Sequence, residues 1–366
     1  MSRFRLFKFK LPYGIDWSLY LVPLLLSILG VVIIYSVTYS TKPATMVAQI
    51  IYLFFSLAIA IFLTFLDYRT LRGLSFFLYL IIVGLLIFVL VFGSHSYGAS
   101  RWIDLGVFKL QPSELAKIII LLFLARFFAE KEEFKTTDIL LLLGIVGLPI
   151  ALILLQPDFG TAMVIFILLL TMLAFSKVPK FILIGLLLAM VIFAPVGWHF
   201  LKTYQKQRIT TFINPSQDPY GSGYNVTQAK ITVGSGGLFG QGIGKGTQIQ
   251  LNFLPVAQTD FIFASIAESL GFVGSTILII LMIFLITRVV SLARLAKDAF
   301  GFYIAIGWAM VLAFQIFVNI GMNLGIMPVT GIPLPFVSSG GSSLLTNFAA
   351  IGILQSIYLR HRKITF

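Results

Sequence analysis

Asp260 is an isolated carboxylate at the end of Phe253-Leu254-Pro255-Val256-Ala257-Gln258-Thr259, immediately before a long apolar run. In that setting a carboxylate is partly desolvated, which raises its pKa toward values useful for a general base, while a helix N-terminus opposes the shift. The plain alternative is a helix cap. Glu268 lies two turns further on and on roughly the same face, as a supporting partner or as a group facing a polar interior. Glu114 and Lys117 sit three residues apart in Gln111-Pro112-Ser113-Glu114-Leu115-Ala116-Lys117 and share a helix face. Ser113 reads as the N-cap, and Glu114 suits the positive end of the helix dipole. Lys117 does not suit it and needs an anion. The pair is therefore either a structural ion pair or part of a site for a polar group. Asp158, in Gln156-Pro157-Asp158-Phe159-Gly160-Thr161, opens with the same Gln-Pro-then-acid pattern and reads as a plain cap or a further site carboxylate.

Cations and flexible backbone complete the set. Segment 201–260 holds Arg208, Lys230 and Lys245, and seven glycines lie between Gly234 and Gly246. Glycine-rich backbone approaches phosphate closely and can form anion nests. The basic residues favour an anionic ligand; the alternative is a flexible surface loop. Arg101, in a shorter loop, joins the candidate binding residues. Ser338 and Ser342, in Ser338-Ser339-Gly340-Gly341-Ser342, either start a helix that donates to an anion or form an ordinary cap and turn. Asn319 and Asn323, one turn apart, read as helix-to-helix hydrogen bonding. There is no GxxxxGK[ST] and no GxGxxG in a βαβ setting, so a nucleotide fold is unsupported. No cysteine is present, which excludes disulfides and thiolate metal sites.

The elements that must carry these residues are membrane helices. The chain has 366 residues, 59% hydrophobic and 11% charged, with a net charge of +13. Soluble domains carry about 25% charged residues. The basic residues fall in short clusters between apolar runs, as membrane topology requires, and form no nucleic-acid patch. Runs of about 20 apolar residues cross a bilayer as helices. The expected spans are 17–38, 46–66, 74–92, 113–129, 138–155, 159–176, 180–200, 261–287, 301–325 and 341–360. The basic segment Met1 to Lys10 has no cleavage signature after it and leads into an uncleaved first span. Ala299 to Leu359 holds no charged residue, and the proline- and glycine-rich stretch from Gly325 to Gly341 divides it into two spans. With the N-terminus inside, inner segments hold seventeen Lys and Arg against three (Lys42, Arg101, Lys109) in short outer loops. The expected fold is an all-α polytopic membrane protein, one domain over 1–366. About ten spans place both termini in the cytoplasm, with a large extracytoplasmic loop over about 201–260 between spans seven and eight. In that orientation Glu114, Lys117, Asp158, Asp260, the long loop and the 325–341 loop converge on the outer surface.

Several of these stretches together resemble the shape, elongation, division and sporulation family, the RodA- and FtsW-type wall polymerases. They are Gln111-Pro112-Ser113-Glu114 with Lys117, Gln156 to Thr161, Asp218-Pro219 with Gly221 and Gly223-Tyr224, and Gln228-Ala229-Lys230. They continue with Gly234-Ser235-Gly236-Gly237-Leu238, Phe253-Leu254-Pro255, Thr259 to Ala264, and Pro333 to Ser338 running into Gly340-Gly341-Ser342. Gly246-Thr247-Gln248 with Gln250, and Thr259 before the aspartate, resemble the RodA type. Val256-Ala257-Gln258 departs from the charged pair that RodA-like chains often carry there. The resemblance implies a peptidoglycan glycosyltransferase of the bacterial cytoplasmic membrane. It would join lipid II disaccharides carried on undecaprenyl pyrophosphate for rod-shape elongation. It implies Asp260 as the essential base, with Glu114, Lys117 and Asp158 important, and a class B penicillin-binding protein as partner. Arg208, Lys230 and Lys117 are the cations expected to meet the pyrophosphate. A divalent cation, magnesium or manganese, is an expected cofactor, and no organic cofactor or nucleic acid is expected. The competing readings are a lipid II flippase, which would place ionisable groups near the membrane midplane, and a non-catalytic scaffold.

Overall fold

The computed structural model describes residues 14–361 apart from 40–42, 97–98, 105, 107–108, 201, 215–217 and 219–220. The expected roles of Lys42, of the basic N-terminus and of the Pro215-Ser216-Gln217 and Pro219 stretches lie outside the described residues. Thirteen helices and three short strands are present among the described residues: α1 (Ser18–Thr38), α2 (Ala44–Phe65), α3 (Tyr68–Phe92), β1 (Ser94–Ser96), β2 (Ala99–Asp104), β3 (Lys109–Leu110), α4 (Pro112–Glu130), α5 (Thr136–Leu155), α6 (Phe159–Phe175), α7 (Lys180–Phe200), α8 (Thr203–Ile213), α9 (Ser222–Ser235), α10 (Thr247–Gln250), α11 (Ile262–Leu295), α12 (Ala299–Leu324) and α13 (Gly341–Leu359). Seven of them (α1, α2, α3, α5, α11, α12 and α13) are long and apolar enough to cross a bilayer, and α6 is a shorter apolar helix. This is the make-up of a polytopic membrane protein.

The side chains are arranged for an apolar solvent. On α2 the buried residues are Gln49, Ser56, Ala60 and Thr64, whereas Phe54, Phe55, Ile61 and Phe62 face outward. A water-soluble helix has the opposite arrangement. Small residues then let helices approach closely. A Cβ on Gly352 of α13 would lie 2.4 Å from the Ala60 carbonyl oxygen of α2. Helix α13 is almost wholly buried and packs along α2, while α12 packs on α4, α6 and α11.

Four expectations need correction. The region between α3 and α4 is not plain loop: β1, β2 and β3 form an antiparallel sheet, pairing Ser94 with Trp102 and Ile103 with Leu110. The fold is therefore not strictly all-α, because this polar stretch has no helical periodicity and meets its backbone needs by local pairing. Segment 201–260, expected as one large loop, carries α8, α9 and α10, and α9 packs against α11 and α12. Helix α11 runs to Leu295 rather than ending near 287. Hydropathy falls at Arg288, but the helix continues, and the Arg288 Nε donates to Asp16 at 2.5 Å. Finally, Gln111 rather than Ser113 is the N-cap of α4, with Pro112 in its first turn.

Helix α11 breaks at Gly271, where φ is +70°. The break leaves backbone groups unpaired inside the bundle, where each would be costly. The glycine-rich turn after α9 satisfies them. Phe272 and Val273 amides donate to the Gly237 and Leu238 carbonyls at 2.9 and 3.1 Å, and Gln241 and Gly242 amides donate to the Glu268 and Ser269 carbonyls at 2.8 and 3.0 Å. A Cβ at Gly271 would lie 2.3 Å from the Gly240 nitrogen, so this junction admits only glycine.

Candidate active site

A cavity of about 520 Å³ opens where α4, α6, α11 and α13 begin. Their N-termini contribute Glu114, Asp158 with Thr161, Asp260, and Gly341 to Ser343 to its wall. Each helix N-terminus carries roughly half a positive charge, so four such ends create a region suited to an anion. The 325–341 segment closes one side through Gly331, Pro333 and Ser339, and the sheet supplies Arg101, Trp102 and Lys109.

Asp260 does not cap α11. The N-cap position is Phe261, which makes no side-chain cap bond. The Asp260 carboxyl instead faces the cavity. Burial raises it above the usual carboxylate range; the Arg208 charge, a Thr259 side-chain hydrogen bond and the Arg101 charge oppose the rise, and the Asp158 charge adds to it. A carboxylate so raised, yet held near two guanidinium groups, is equipped to accept a proton.

Lys117 Nζ donates to Glu114 Oε2 at 2.7 Å, with side-chain exposures of 1% and 5%. Glu114 reaches the cavity wall, while Lys117 stands behind it. Asp158 caps α6 and also lines the cavity. Its Oδ1 accepts from the Thr161 amide at 3.2 Å as a cap. Its Oδ2 accepts from Ser113 Oγ at 2.9 Å and Gln111 Nε2 at 3.1 Å, tying the starts of α4 and α6 together. Arg101 donates from Nε to the Gln156 carbonyl at 2.7 Å and also to the Pro157 carbonyl, which caps the end of α5. Arg208 Nη1 donates to the Thr330 carbonyl at 2.9 Å. Ser342 accepts from the Gln111 amide at 2.8 Å and donates to the Lys109 carbonyl at 2.9 Å. Ser338 donates to the Thr259 carbonyl at 2.7 Å. Both serines fasten the cavity wall.

Two candidates lie elsewhere. Glu268 is buried and does not line the cavity; it accepts from the Gln248 and Ile249 amides at 2.8 and 3.2 Å, which anchors α10 to α11. Lys230 is exposed on α9, its Cε lying 2.0 Å from where a Cβ of Gly325 would be. Tyr52 and Trp102, the cavity's aromatic side chains, were not foreseen. Tyr52 belongs to an apolar span and Trp102 to a strand that helical periodicity could not disclose.

The sequence from 16 to 363 matches the cell cycle protein family of FtsW, RodA and SpoVE. The chain belongs to this family. The peptidoglycan glycosyltransferase MrdB of Escherichia coli K12 is a family relative 45% identical over 305 residues, covering 81% of this chain and 80% of that protein. Stage V sporulation protein E of Bacillus subtilis strain 168 is 36% identical over 361 residues, covering 93% of this chain and 96% of that protein. Among solved structures of FtsW/RodA/SpoVE relatives, the rod shape determining protein RodA of Thermus thermophilus aligns with a TM-score of 0.73 at 31% identity, covering 96% and 99% of the two chains. A chain from work described as "Structural coordination of polymerization and crosslinking by a peptidoglycan synthase complex" aligns with a TM-score of 0.81 at 32% identity, covering 95% and 98%.

Proposed function

We propose that this chain is a peptidoglycan glycosyltransferase that polymerises lipid II at the outer face of the bacterial cytoplasmic membrane. One observation carries the reading: the Asp260 carboxylate, uncommitted to capping, faces a cavity ringed by four helix N-termini and lined by Arg101, with the Arg208 charge also acting on it. Ten helices (α1–α7 and α11–α13) serve as spans, both termini are cytoplasmic, and segment 201–260 is extracytoplasmic. The clustering of Lys and Arg supports that orientation.

The donor sugar is α-linked to pyrophosphate and the product bond is β, so the acceptor hydroxyl attacks from the opposite face. Asp260 takes the hydroxyl proton as the bond to the anomeric carbon forms. The bond to the pyrophosphate oxygen breaks, and the leaving group departs with the electron pair. Its growing negative charge meets the helix N-termini and the Arg101 and Arg208 charges. A magnesium or manganese ion would add Lewis-acid stabilisation of the pyrophosphate. One carboxylate plus substrate phosphates suits magnesium. Of the three cavity carboxylates, Asp158 is hydrogen-bonded to Gln111, Ser113 and Thr161 and Asp260 is the base, so Glu114 is the one that would hold the ion. No group of three or more His, Asp or Glu side chains gathers among the described residues, so the phosphates would supply part of the shell. The polyprenyl tail lies along the bilayer beside a cavity placed at helix ends. That placement favours a surface reaction over flipping, which would call for ionisable groups at the midplane. A class B penicillin-binding protein is the partner this reading requires, in keeping with the polymerisation and crosslinking named for one structural relative.

The test is polymerisation of labelled lipid II by the purified full chain, alone and with that partner. Wild type is expected to make glycan strands and Asp260→Ala none, with both equally monodisperse in detergent. Strand synthesis by the Ala variant at the wild-type rate would refute the assignment of Asp260 as base.

A further inference from the structure

The segment before α11 is not helical, so its backbone torsions need to be fixed by other means if the Asp260 carboxylate is to be aimed. Three consecutive carbonyls of this segment are held by other parts of the fold. The Gln258 carbonyl accepts from the Ser339 amide at 2.9 Å, and the Thr259 carbonyl accepts from Ser338 Oγ at 2.7 Å. The Asp260 carbonyl accepts from two side chains of α12, Asn319 Nδ2 and Asn323 Nδ2, both at 3.1 Å.

Each asparagine nitrogen has a second task. Asn319 Nδ2 also donates to the Ile332 carbonyl at 2.8 Å, so one amide joins Asp260 to the loop that carries Gly331 and Pro333. Asn323 Nδ2 also donates to the Asn319 carbonyl at 2.8 Å, and its Oδ1 accepts from the Ala264 amide at 3.0 Å. That last bond satisfies one of the amides left open at the start of α11. Both asparagines are fully buried. A neutral amide suits this position. It supplies two donors, and its burial costs far less than that of a charge.

We propose that Asn319 and Asn323 are positioning residues for the transfer reaction, fixing the Asp260 backbone so that its carboxylate points at the acceptor hydroxyl. This rests on the reading of Asp260 as base. Neither asparagine lines the cavity, so both act through Asp260 and not on the substrate. Placement errors of about 1 Å in a reacting group cost on the order of 100-fold in rate. Residues that only hold two helices together would lower yield and thermal stability without changing turnover per folded molecule.

The experiment measures kcat and KM for lipid II polymerisation by purified full-length Asn319→Leu and Asn323→Leu, alongside Asp260→Asn. Rates are normalised to the monodisperse fraction and followed across pH. The expected result is a kcat roughly 10- to 100-fold lower for each leucine variant with KM within about two-fold of wild type. The acid limb of the kcat profile should also move to lower pH as Asp260 swings toward solvent. A raised KM with kcat retained, or wild-type kcat with an unmoved acid limb, would overturn the proposal. If Asn323→Leu fails to accumulate, Asn319→Ala carries the same test, because it leaves the Asn323 bond to the Ala264 amide in place. The two assignments fail separately. An active Asp260→Asn removes the base, whereas an inactive Asp260→Asn beside fully active asparagine variants removes only the positioning role.

Discussion

Replacing Lys117 by Met should destabilise the protein sharply, and removing its partner as well should restore it. At 2.7 Å and an effective dielectric of about 20, the attraction between Lys117 and Glu114 is about 6 kcal/mol. Much of this is offset by desolvation, because the two side chains are only 1% and 5% exposed. The net contribution of the pair is therefore small, but the cost of breaking it is not. Lys117→Met leaves a buried carboxylate without a cation, which costs about 3–5 kcal/mol. Glu114→Gln leaves a buried ammonium and should cost a similar amount. The double variant Glu114→Gln/Lys117→Met buries no charge and should return to within about 1 kcal/mol of wild type, giving a coupling energy of about 5 kcal/mol or more. The assay is a double-mutant cycle followed by denaturant-induced unfolding in detergent, with lipid II polymerisation measured on the same samples. A stable but inactive double variant would assign the Glu114 charge to the cavity's chemistry, since only Glu114 reaches the wall. Single variants within 1 kcal/mol of wild type would refute the reasoning.

The raised Asp260 carboxyl sets two expectations. Polymerisation should fail on the acid side with an apparent pKa above the ordinary aspartate value of about 3.9, as a pH–rate profile would reveal. A folded-state pKa above the unfolded one means a contribution to stability that is present at low pH and lost as pH rises through the folded value. At neutral pH, Asp260→Asn should therefore unfold at the same temperature as wild type or higher, and a clear fall in melting temperature would contradict this. Glu268→Ala should free the Gln248 and Ile249 amides at about 1.5–3 kcal/mol for each charged hydrogen bond lost. Hydrogen exchange should then accelerate around residues 246–251. Gly271→Val should be among the most damaging single changes, because its side chain would strike the Gly240 nitrogen and demand a disfavoured φ; yield and detergent stability check it.

The sequence by itself determined where the helices lie. Apolar runs and charge clusters respond to the bilayer over a whole segment, so the intervals read as spans coincide with α1–α7 and α11–α13 to within several residues at most ends. It also disclosed the carboxylates that line the cavity, because a charge at the edge of an apolar run needs a reason to be there. Tertiary structure decided what each one touches. Asp158 caps a helix and also binds Ser113 and Gln111 of a different helix. Glu268, on nearly the same face as Asp260 by spacing alone, turns away to hold α10. The difference arises because α11 begins at Ile262, which leaves Asp260 outside the helix, while Glu268 inside it meets the Gln248 and Ile249 amides. Hydropathy and periodicity report on the solvent around a segment and on its immediate neighbours. They carry no information on which distant backbone and side-chain groups will satisfy one another, and such pairings hold the Gln258, Thr259 and Asp260 carbonyls.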